Sequence, residues 1–450
     1  MNTRNFKRIA GVALLAGVIA LAFWESGRRR FEVPQSRSEV VFWHFWGGKD
    51  RPVVEEICRR FNESQQEYFV RPVAMPGNNL DLKFFLSVAG GDPPDVLNQD
   101  DPIVADWAHR EALLPLDAMA SPEEIAELEG WLFPAARQIG SYQDRLYALC
   151  NGLDIRALYY NGDLLAEHGL APPQTLAELD AAALAIAPPG EPHDRYGYLP
   201  DPRRLWSWGI VFGGRFYDPR TGVATADSEP IVAALDWMAS YSRRYGPDQV
   251  ARFRKGDQAL PGAAFPLLEG RYAMIMDGQW RVAEIAAVAA AAAKRGEQVP
   301  HYGVVPLPPP PSGVPKAGWV NGNFFVVPRG ARNPQGAWAF MKFWSGFDGH
   351  EGEAARACAG GGWIPASQAV VDHPTFQDYL RRYPLFGTFV ELASSPEQVP
   401  TPGVPGAQFF QDEVIRAAED AMYKLVPPRA ALENANRRVQ ARLEAARAKE

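Results

Sequence analysis

Aromatic and polar side chains recur together near the ends of the strands that this sequence predicts. They are of the types that hold a small polar molecule: indole rings beside carboxylates, amides and guanidinium groups. The candidate ligand-binding residues are Trp43, His44, Trp46, Gln99, Asp100, Asp154, Arg156, Arg203, Trp206, Trp208, Asp277, Trp280, Trp319, Asn321 and Trp363. Sugars need this mixture, because their C–H faces pack on aromatic rings while their hydroxyls exchange hydrogen bonds with polar side chains. Charged partners form the stronger of these bonds.

Several of these residues also have a purely structural interpretation. Trp206 and Trp208 suit a core, since large aromatic side chains are mostly buried. Asp154 suits a turn cap, and Asp100, close before Pro102, suits the cap of a following helix. The residues alone leave both interpretations open.

Motifs for covalent chemistry are missing from the sequence. The seven histidines form no HxH or HExxH pair, and neither a GxSxG elbow nor a phosphate-binding loop is present. The window 218–229 resembles a calcium loop only superficially, because Val223 stands where that loop requires glycine. We therefore expect no cofactor, no metal and no enzyme activity. A glycosidase stays a remote alternative, since sequence spacing cannot show how far apart two carboxylates lie.

Alternating strands and helices must position these residues. Strands are predicted at 40–45, 68–74, 96–98, 157–161 and 322–328, and helices at about 80–89, 175–186, 229–244, 268–296, 334–345, 408–425 and 428–447. The pattern favours an α/β fold with a mainly parallel sheet covered on both faces. Two such lobes would bind a ligand between the facing ends of their strands.

The net charge of the chain indicates which kinds of partner it can bind. The 450 residues carry a formal net charge of −7, which argues against nucleic acid because phosphate binding relies on a basic surface. We expect a monomer that binds a small molecule.

The N-terminus predicts a location outside the cytoplasm. Arg4, Lys7 and Arg8 precede an apolar run from 9 to 24, and Ala20 and Ala22 offer a cleavage site. Positive charge at 28–30 opposes translocation of that flank. Both a cleaved signal peptide and an uncleaved membrane anchor over 9–24 stay open, with 1–38 acting as leader plus linker.

Three cysteines, Cys58, Cys150 and Cys358, form no CxxC motif. Cys58 lies on the apolar side of a predicted helix. A disulfide between Cys150 and Cys358 is possible in principle, but pairing cannot be deduced from sequence.

Several short motifs in this order resemble the carbohydrate-type extracellular solute-binding proteins of ABC importers, the maltose-binding-protein-like group of periplasmic binding proteins. The motifs are AGGDPPDV at 89–96, LLPLD at 113–117, LYYN at 158–161, PPQT at 172–175, MDGQW at 276–280 and GAWAF at 336–340. The sequence departs from the family pattern at Cys150, where proline is usual, and at Leu176, where tryptophan is usual. The family's lipoprotein cysteine is also absent.

The resemblance implies an interdomain ligand cleft and a hinge. One lobe would hold 39–153 and 305–357, the other 154–304 and 358–450, with crossing strands near 152–155, 303–306 and 356–360. It implies that Asp154 binds sugar hydroxyls, that Trp280 is an aromatic platform, and that Gln99 and Asp100 contribute from the loop after the PDV motif.

The function implied is the substrate-binding component of an ABC-type sugar importer, with permease subunits in the membrane as partners. Two alternatives use the same cleft: a binding module for a polar or anionic solute such as glycerol phosphate, or one that feeds a sensor. An anionic ligand gains weight if Arg156, Arg203 and Arg204 face the cleft.

Overall fold

The computed structural model describes residues 33–48, 50–75, 80–100, 102–190, 192–258 and 264–448. The predicted leader run at 9–24 lies outside these residues. Within the described ranges, no helix is both long and apolar enough to cross a membrane.

The strands are, in chain order, β1 (Ser38–His44), β2 (Tyr68–Ala74), β3 (Val96–Asp100), β4 (Leu113–Leu114), β5 (Ser141–Tyr142), β6 (Arg145–Leu146), β7 (Ala148–Asn161), β8 (Tyr217–Asp218), β9 (Val223–Ala224), β10 (Met274–Gly278), β11 (Tyr302–Val305), β12 (Gly318–Pro328) and β13 (Gln398–Val399).

The helices are α1 (Arg51–Ser64), α2 (Leu80–Ala89), α3 (Ile103–His109), α4 (Pro122–Trp131), α5 (Pro134–Gly140), α6 (Gly162–Glu167), α7 (Leu176–Ile186), α8 (Leu205–Val211), α9 (Glu229–Tyr245), α10 (Pro247–Gln258), α11 (Val282–Arg295), α12 (Pro334–Ser345), α13 (Glu351–Gly361), α14 (Gln368–Asp372), α15 (Pro374–Arg382), α16 (Gly387–Ala393), α17 (Ala407–Tyr423) and α18 (Pro428–Arg447).

Local signals explain the helix ends that the sequence predicts well. Thr175 and Glu178 form a capping box at the start of α7, each side chain bonding to the other's backbone N–H. Asn333 caps α12, and Gly346 ends it in the left-handed conformation that favours glycine.

One predicted helix is wrong in its first part. The stretch expected as a helix from 268 begins instead with a turn, the strand β10 and a 3-10 turn at Gln279–Arg281 before α11 starts at Val282. Gly270, with a φ of +68°, closes the turn, and β10 then pairs with β7. An alanine-rich tract dominated the sequence pattern and hid the five-residue strand before it.

The main sheet is mixed, which corrects the expectation of a mainly parallel one. Its path runs β10-β7-β12-β3-β1-β2, with β11 beside β7 and both β4 and β13 beside β12. Only the pairs β1–β2, β1–β3 and β12–β13 are parallel in this nine-stranded sheet. The two longest strands, β7 and β12, run antiparallel to each other through the middle of the sheet. The other two neighbours of β7, which are β10 and β11, are also antiparallel to it.

Apolar side chains pack into two cores, and β7 contributes to both. Ala157 and Tyr159 face the first core, whereas Leu158 faces the second, as the alternation of a strand requires. Because β7 and β12 are continuous across the molecule, the polar residues at their centres lie between the two packed regions. Cys58, Cys150 and Cys358 are buried thiols, so Cys150 and Cys358 are not cross-linked.

Candidate ligand-binding site

Four polar side chains form a row across the centre of the sheet. Asp100, at the end of β3, lies opposite Asn323 of β12, and Asp154 of β7 lies opposite Asn321. Directly opposite residues of an antiparallel pair share a face, as do residues two apart on one strand. Asp100, Asn323, Asn321 and Asp154 therefore project from one face, and we call them the polar row.

A stacked guanidinium continues the row. Arg156 lies two residues beyond Asp154 on β7, and its Nη1 donates to the Asp154 backbone oxygen at 3.1 Å and to the Asn321 side chain. Its guanidinium carbon lies 4.6 Å from the ring centroid of Trp319 and 5.3 Å from that of Trp280. Cation–π attraction holds the charge between the two indoles, each of which is half-buried.

Gln279 orients Asp154, a role that sequence reasoning missed. Its buried side chain donates from Nε2 to Asp154 Oδ1 at 2.6 Å and accepts from the Ile155 backbone N–H at 3.2 Å. The motif at 276–280 carries the signal, since this amide stands directly before Trp280, the predicted aromatic platform.

Glycine at 278 makes room for the Trp280 ring. A Cβ atom placed on Gly278 would lie 2.2 Å from that ring, closer than any real contact. Since Gly278 pairs with Arg156, the indole sits directly over this end of the row.

Burial perturbs both carboxyl groups of the row. It raises the pKa of Asp154, against the lowering effects of Arg156 and of the bond from Gln279. The carboxyl of Asp100 keeps an exposed side, but protein surrounds it elsewhere, and this burial together with the charge of Asp154 raises its pKa to about 7, against the lowering effect of Arg156. Near neutral pH, Asp100 can therefore both donate and accept hydrogen bonds.

Trp319 is tied to the chain that follows the sheet. Its Nε1 donates to Thr401 Oγ1 at 3.0 Å, and the same oxygen accepts from Gln411 Nε2 at 2.6 Å. A cavity of about 740 Å³ lies alongside, lined in part by Phe216 and by Val399, the strand partner of Trp319. Its size is in the range of small-molecule sites.

The candidates after β1 and near 363 form a ring cluster in the first core. Trp46 lies 5.6 Å from Trp344 and 5.2 Å from Trp363, measured between ring centroids, and all three rings are buried. His44 is buried beside Phe42, and burial lowers its pKa to about 4, so the ring is neutral at pH 7.

Two further candidates lie at the edge of this region. Trp43 is half-buried on β1. The Gln99 amide donates to Asp81 at 2.9 Å, and Gln99 points to the face of β3 opposite Asp100.

Trp206 and Trp208 are placed in the second core. Both lie on α8, every residue of which is buried. The Trp206 ring packs 4.0 Å from that of Phe216, and Trp208 donates its indole N–H to the Tyr198 hydroxyl at 3.1 Å. This packing satisfies much of their large apolar area. Trp206 also lines the cavity of about 740 Å³ beside Trp319, so its assignment to a ligand site stays a prediction.

Arg203 and Asp277 also lie off the row. Arg203 is exposed and pairs with Asp201 at 2.6 Å. Asp277 pairs with Arg281 at 2.9 Å and, one residue before Gly278, points to the other face of β10.

Known proteins resemble this chain in sequence. Residues 56–382 match the model of a family described as bacterial extracellular solute-binding protein. The sn-glycerol-3-phosphate-binding periplasmic protein UgpB of Brucella abortus is 28% identical over 200 residues, which are 41% of this chain and 42% of that protein. The match thus spans less than half the length of this curated relative.

Solved structures share the fold at low identity. The sugar-binding protein MalE from Xanthomonas citri aligns with a TM-score of 0.73 at 21% identity, over 91% of this chain and 98% of its own. CpMnBP1 with mannotriose bound aligns with a TM-score of 0.71 at 24% identity, over 89% and 99%. These likenesses confirm the predicted α/β fold of the two-lobed periplasmic-binding-protein kind.

Proposed function

The chain belongs to the bacterial extracellular solute-binding proteins, and from this premise we propose that it is the substrate-binding component of an ABC-type sugar importer. It captures a mono- or oligosaccharide between two closing lobes. The observation that carries the proposal is the polar row of Asp100, Asn323, Asn321 and Asp154, continued by the indoles of Trp280 and Trp319.

The chemistry of the row suits an uncharged, hydroxyl-rich ligand. Two carboxyls and two amides supply both donors and acceptors, and the half-buried indoles offer apolar faces for sugar C–H groups. With Asp100 protonated, the charge of Asp154 is balanced by that of Arg156 within the described part of the site. Such a site holds hydroxyls without requiring a charge on the ligand.

Lobe closure would complete the site. In the proposed division, 39–153 with 305–357 form one lobe, and 154–304 with 358–450 form the other. Asp100 then comes from the first lobe, Asp154 and Trp280 from the second. A ligand that contacts both shifts the equilibrium toward the closed state by its differential affinity.

The family is one of binding proteins that act outside the cytoplasm. We propose that the ligand is passed unchanged to permease subunits in the membrane, and that residues 9–24 either direct export or tether the chain to the inner membrane.

A polar anionic solute is the second candidate, favoured by the name of the Brucella relative. Against it stands the carboxylate of Asp154 in the row, which repels a phosphate, although Arg156 beside it would attract one. Arg203, whose orientation toward the cleft would have supported an anion, is exposed and paired with Asp201.

A ligand screen tests the proposal. The melting temperature of residues 39–450 is measured with saccharides, polyols and glycerol phosphates, because a ligand bound only by the native state raises it. We expect a rise with one saccharide class and full recovery of that saccharide after incubation. A rise only with phosphate esters would favour the second candidate, and a cleaved saccharide would identify a glycosidase.

A further inference from the structure

The space between the two indoles at the end of the polar row is filled by a side chain of the protein itself. We call this space, between the rings of Trp280 and Trp319, the indole slot. The guanidinium carbon of Arg156 lies 4.6 Å from the ring centroid of Trp319 and 5.3 Å from that of Trp280. Because Arg156 is only 8% exposed, it covers one side of each ring.

Strand pairing places these three side chains together. The antiparallel register of β12 with β7 puts Trp319 opposite Arg156. On the other side of β7, Gly278 pairs with Arg156, and its lack of a side chain lets the Trp280 ring lie over this position. The two rings therefore approach Arg156 from the two sides of β7.

Hydrogen bonds hold the contents of the slot in place. Nη1 of Arg156 donates to the Asp154 backbone oxygen at 3.1 Å and to the Asn321 side chain. Trp319 is fixed in turn, because its Nε1 donates to Thr401 Oγ1 at 3.0 Å. A ligand that displaced the guanidinium would have to break two charge-assisted bonds and two cation–π contacts. The slot is therefore closed to a sugar ring.

The length of the polar row defines the space that remains for a ligand. The row crosses β3, β12 and β7, so Asp100 and Asp154 lie on strands two spacings apart, which is about 10 Å. One or two sugar rings span such a distance. A further ring placed beyond Asp154 would meet Arg156 instead of a free aromatic face.

We propose that Arg156 is a specificity-determining residue, which restricts the site to saccharides of one or two rings by occupying the indole slot. This inference rests on the proposed function and narrows its ligand class to short saccharides. Trp280 and Trp319 are half-buried, so their remaining exposed sides still offer stacking surface to such a ligand.

Calorimetric titration of the native protein with saccharides of increasing length tests this proposal. The probes are glucose, maltose and maltotriose, then mannose, mannobiose and mannotriose, and finally xylose, xylobiose and xylotriose. Within the series that binds, we expect the affinity for the trisaccharide to exceed that for the disaccharide by no more than about threefold. A larger gain from the third ring would overturn the proposal.

Two substitutions of Arg156 separate the filling of the slot from the charge. Arg156→Ala opens the slot and should raise the ratio of trisaccharide to disaccharide affinity about five- to tenfold, as stacking of one more ring predicts. Arg156→Met is the matched control, because an unbranched side chain of similar length keeps the slot filled without the charge, and its ratio should equal that of the native protein. An unchanged ratio in Arg156→Ala, or an equal rise in Arg156→Met, would overturn the proposal.

The affinity ratio is taken within each variant, so a general loss of affinity caused by the altered surroundings of Asp154 cancels. Melting temperatures verify that the variants fold, and the native series decides the matter if Arg156→Ala does not. Failure of the proposed function gives a different result. Absence of binding for all of these sugars would overturn the proposed function and this inference with it, whereas a native preference for the trisaccharide would overturn the inference alone.

Discussion

Two pairs of tryptophans in this chain, alike in sequence setting, have opposite environments. Trp280 and Trp319 are half-buried and enclose Arg156 at the polar row, while Trp206 and Trp208 are almost fully buried in the second core. All four stand near arginine, glycine or aspartate in the sequence. The contrast shows that an indole beside polar residues keeps a face free for stacking only where strand geometry leaves it partly exposed.

The largest expected effect is a loss of stability at the buried pair, Trp206 and Trp208. Trp208→Ala should lower the free energy of unfolding by about 3–5 kcal/mol, because it removes a fully buried ring and leaves a cavity. Urea denaturation measures the change. The folded fraction should keep its saccharide affinity, and a loss of affinity without loss of stability would place Trp208 in the site after all.

On the polar row, Asp154→Asn should weaken saccharide binding about 10- to 100-fold, since it removes a charged acceptor that Gln279 holds in place. Calorimetric titration measures this, and denaturation should show a much smaller effect than for Trp208→Ala. Asp236→Asn, at an exposed carboxylate paired with Arg243, is the matched control. Equal affinity of the Asp154 and Asp236 variants would remove Asp154 from the site.

Trp280→Ala should weaken saccharide binding by about tenfold, because stacking on one ring contributes on the order of 1 kcal/mol beyond the area it buries. Its unfolding free energy should fall by less than that of Trp208→Ala, as the ring is only half-buried. Quenching of tryptophan fluorescence by the ligand, reduced in this variant, gives a second readout. A stability loss as large as that of Trp208→Ala would erase the contrast between the two pairs.

The smallest effect concerns pH. Burial and the Asp154 charge raise the pKa of Asp100 from the ordinary 3.8 to about 7, so the folded chain holds this proton more tightly than the unfolded chain. The resulting stabilisation is complete below about pH 3.8 and is lost as pH rises through 7. Melting temperatures from pH 4 to 8 should therefore fall less steeply for Asp100→Asn than for the native protein. Parallel pH profiles would show that Asp100 titrates normally.

Much of the scaffold could be predicted from local signals. The bounds of α12 and α18 agree with the prediction, because proline at the first turn and apolar periodicity mark them. The prediction failed at β10, where five residues of strand precede a long alanine-rich helix, and at the direction of the sheet. Local sequence predicts helix caps well, whereas the direction of a strand in the sheet depends on pairing with strands far along the chain.

The candidate site shows the same division between features that local sequence predicts and features that depend on distant residues. Residue types alone indicated a polar ligand and singled out Asp100, Asp154, Trp280 and Asn321. Gln279 was missed because its role is to bond a carboxylate that lies 125 residues away.

The amino-acid sequence alone established the α/β fold and the family resemblance and predicted the chemistry of the ligand, since these follow from residue types and short-range order. Only the tertiary structure decided which aromatic rings stay open and which arginines keep a partner. The reason is physical: exposure and pairing depend on the register of β7 with β12 and β10, which joins residues more than a hundred positions apart.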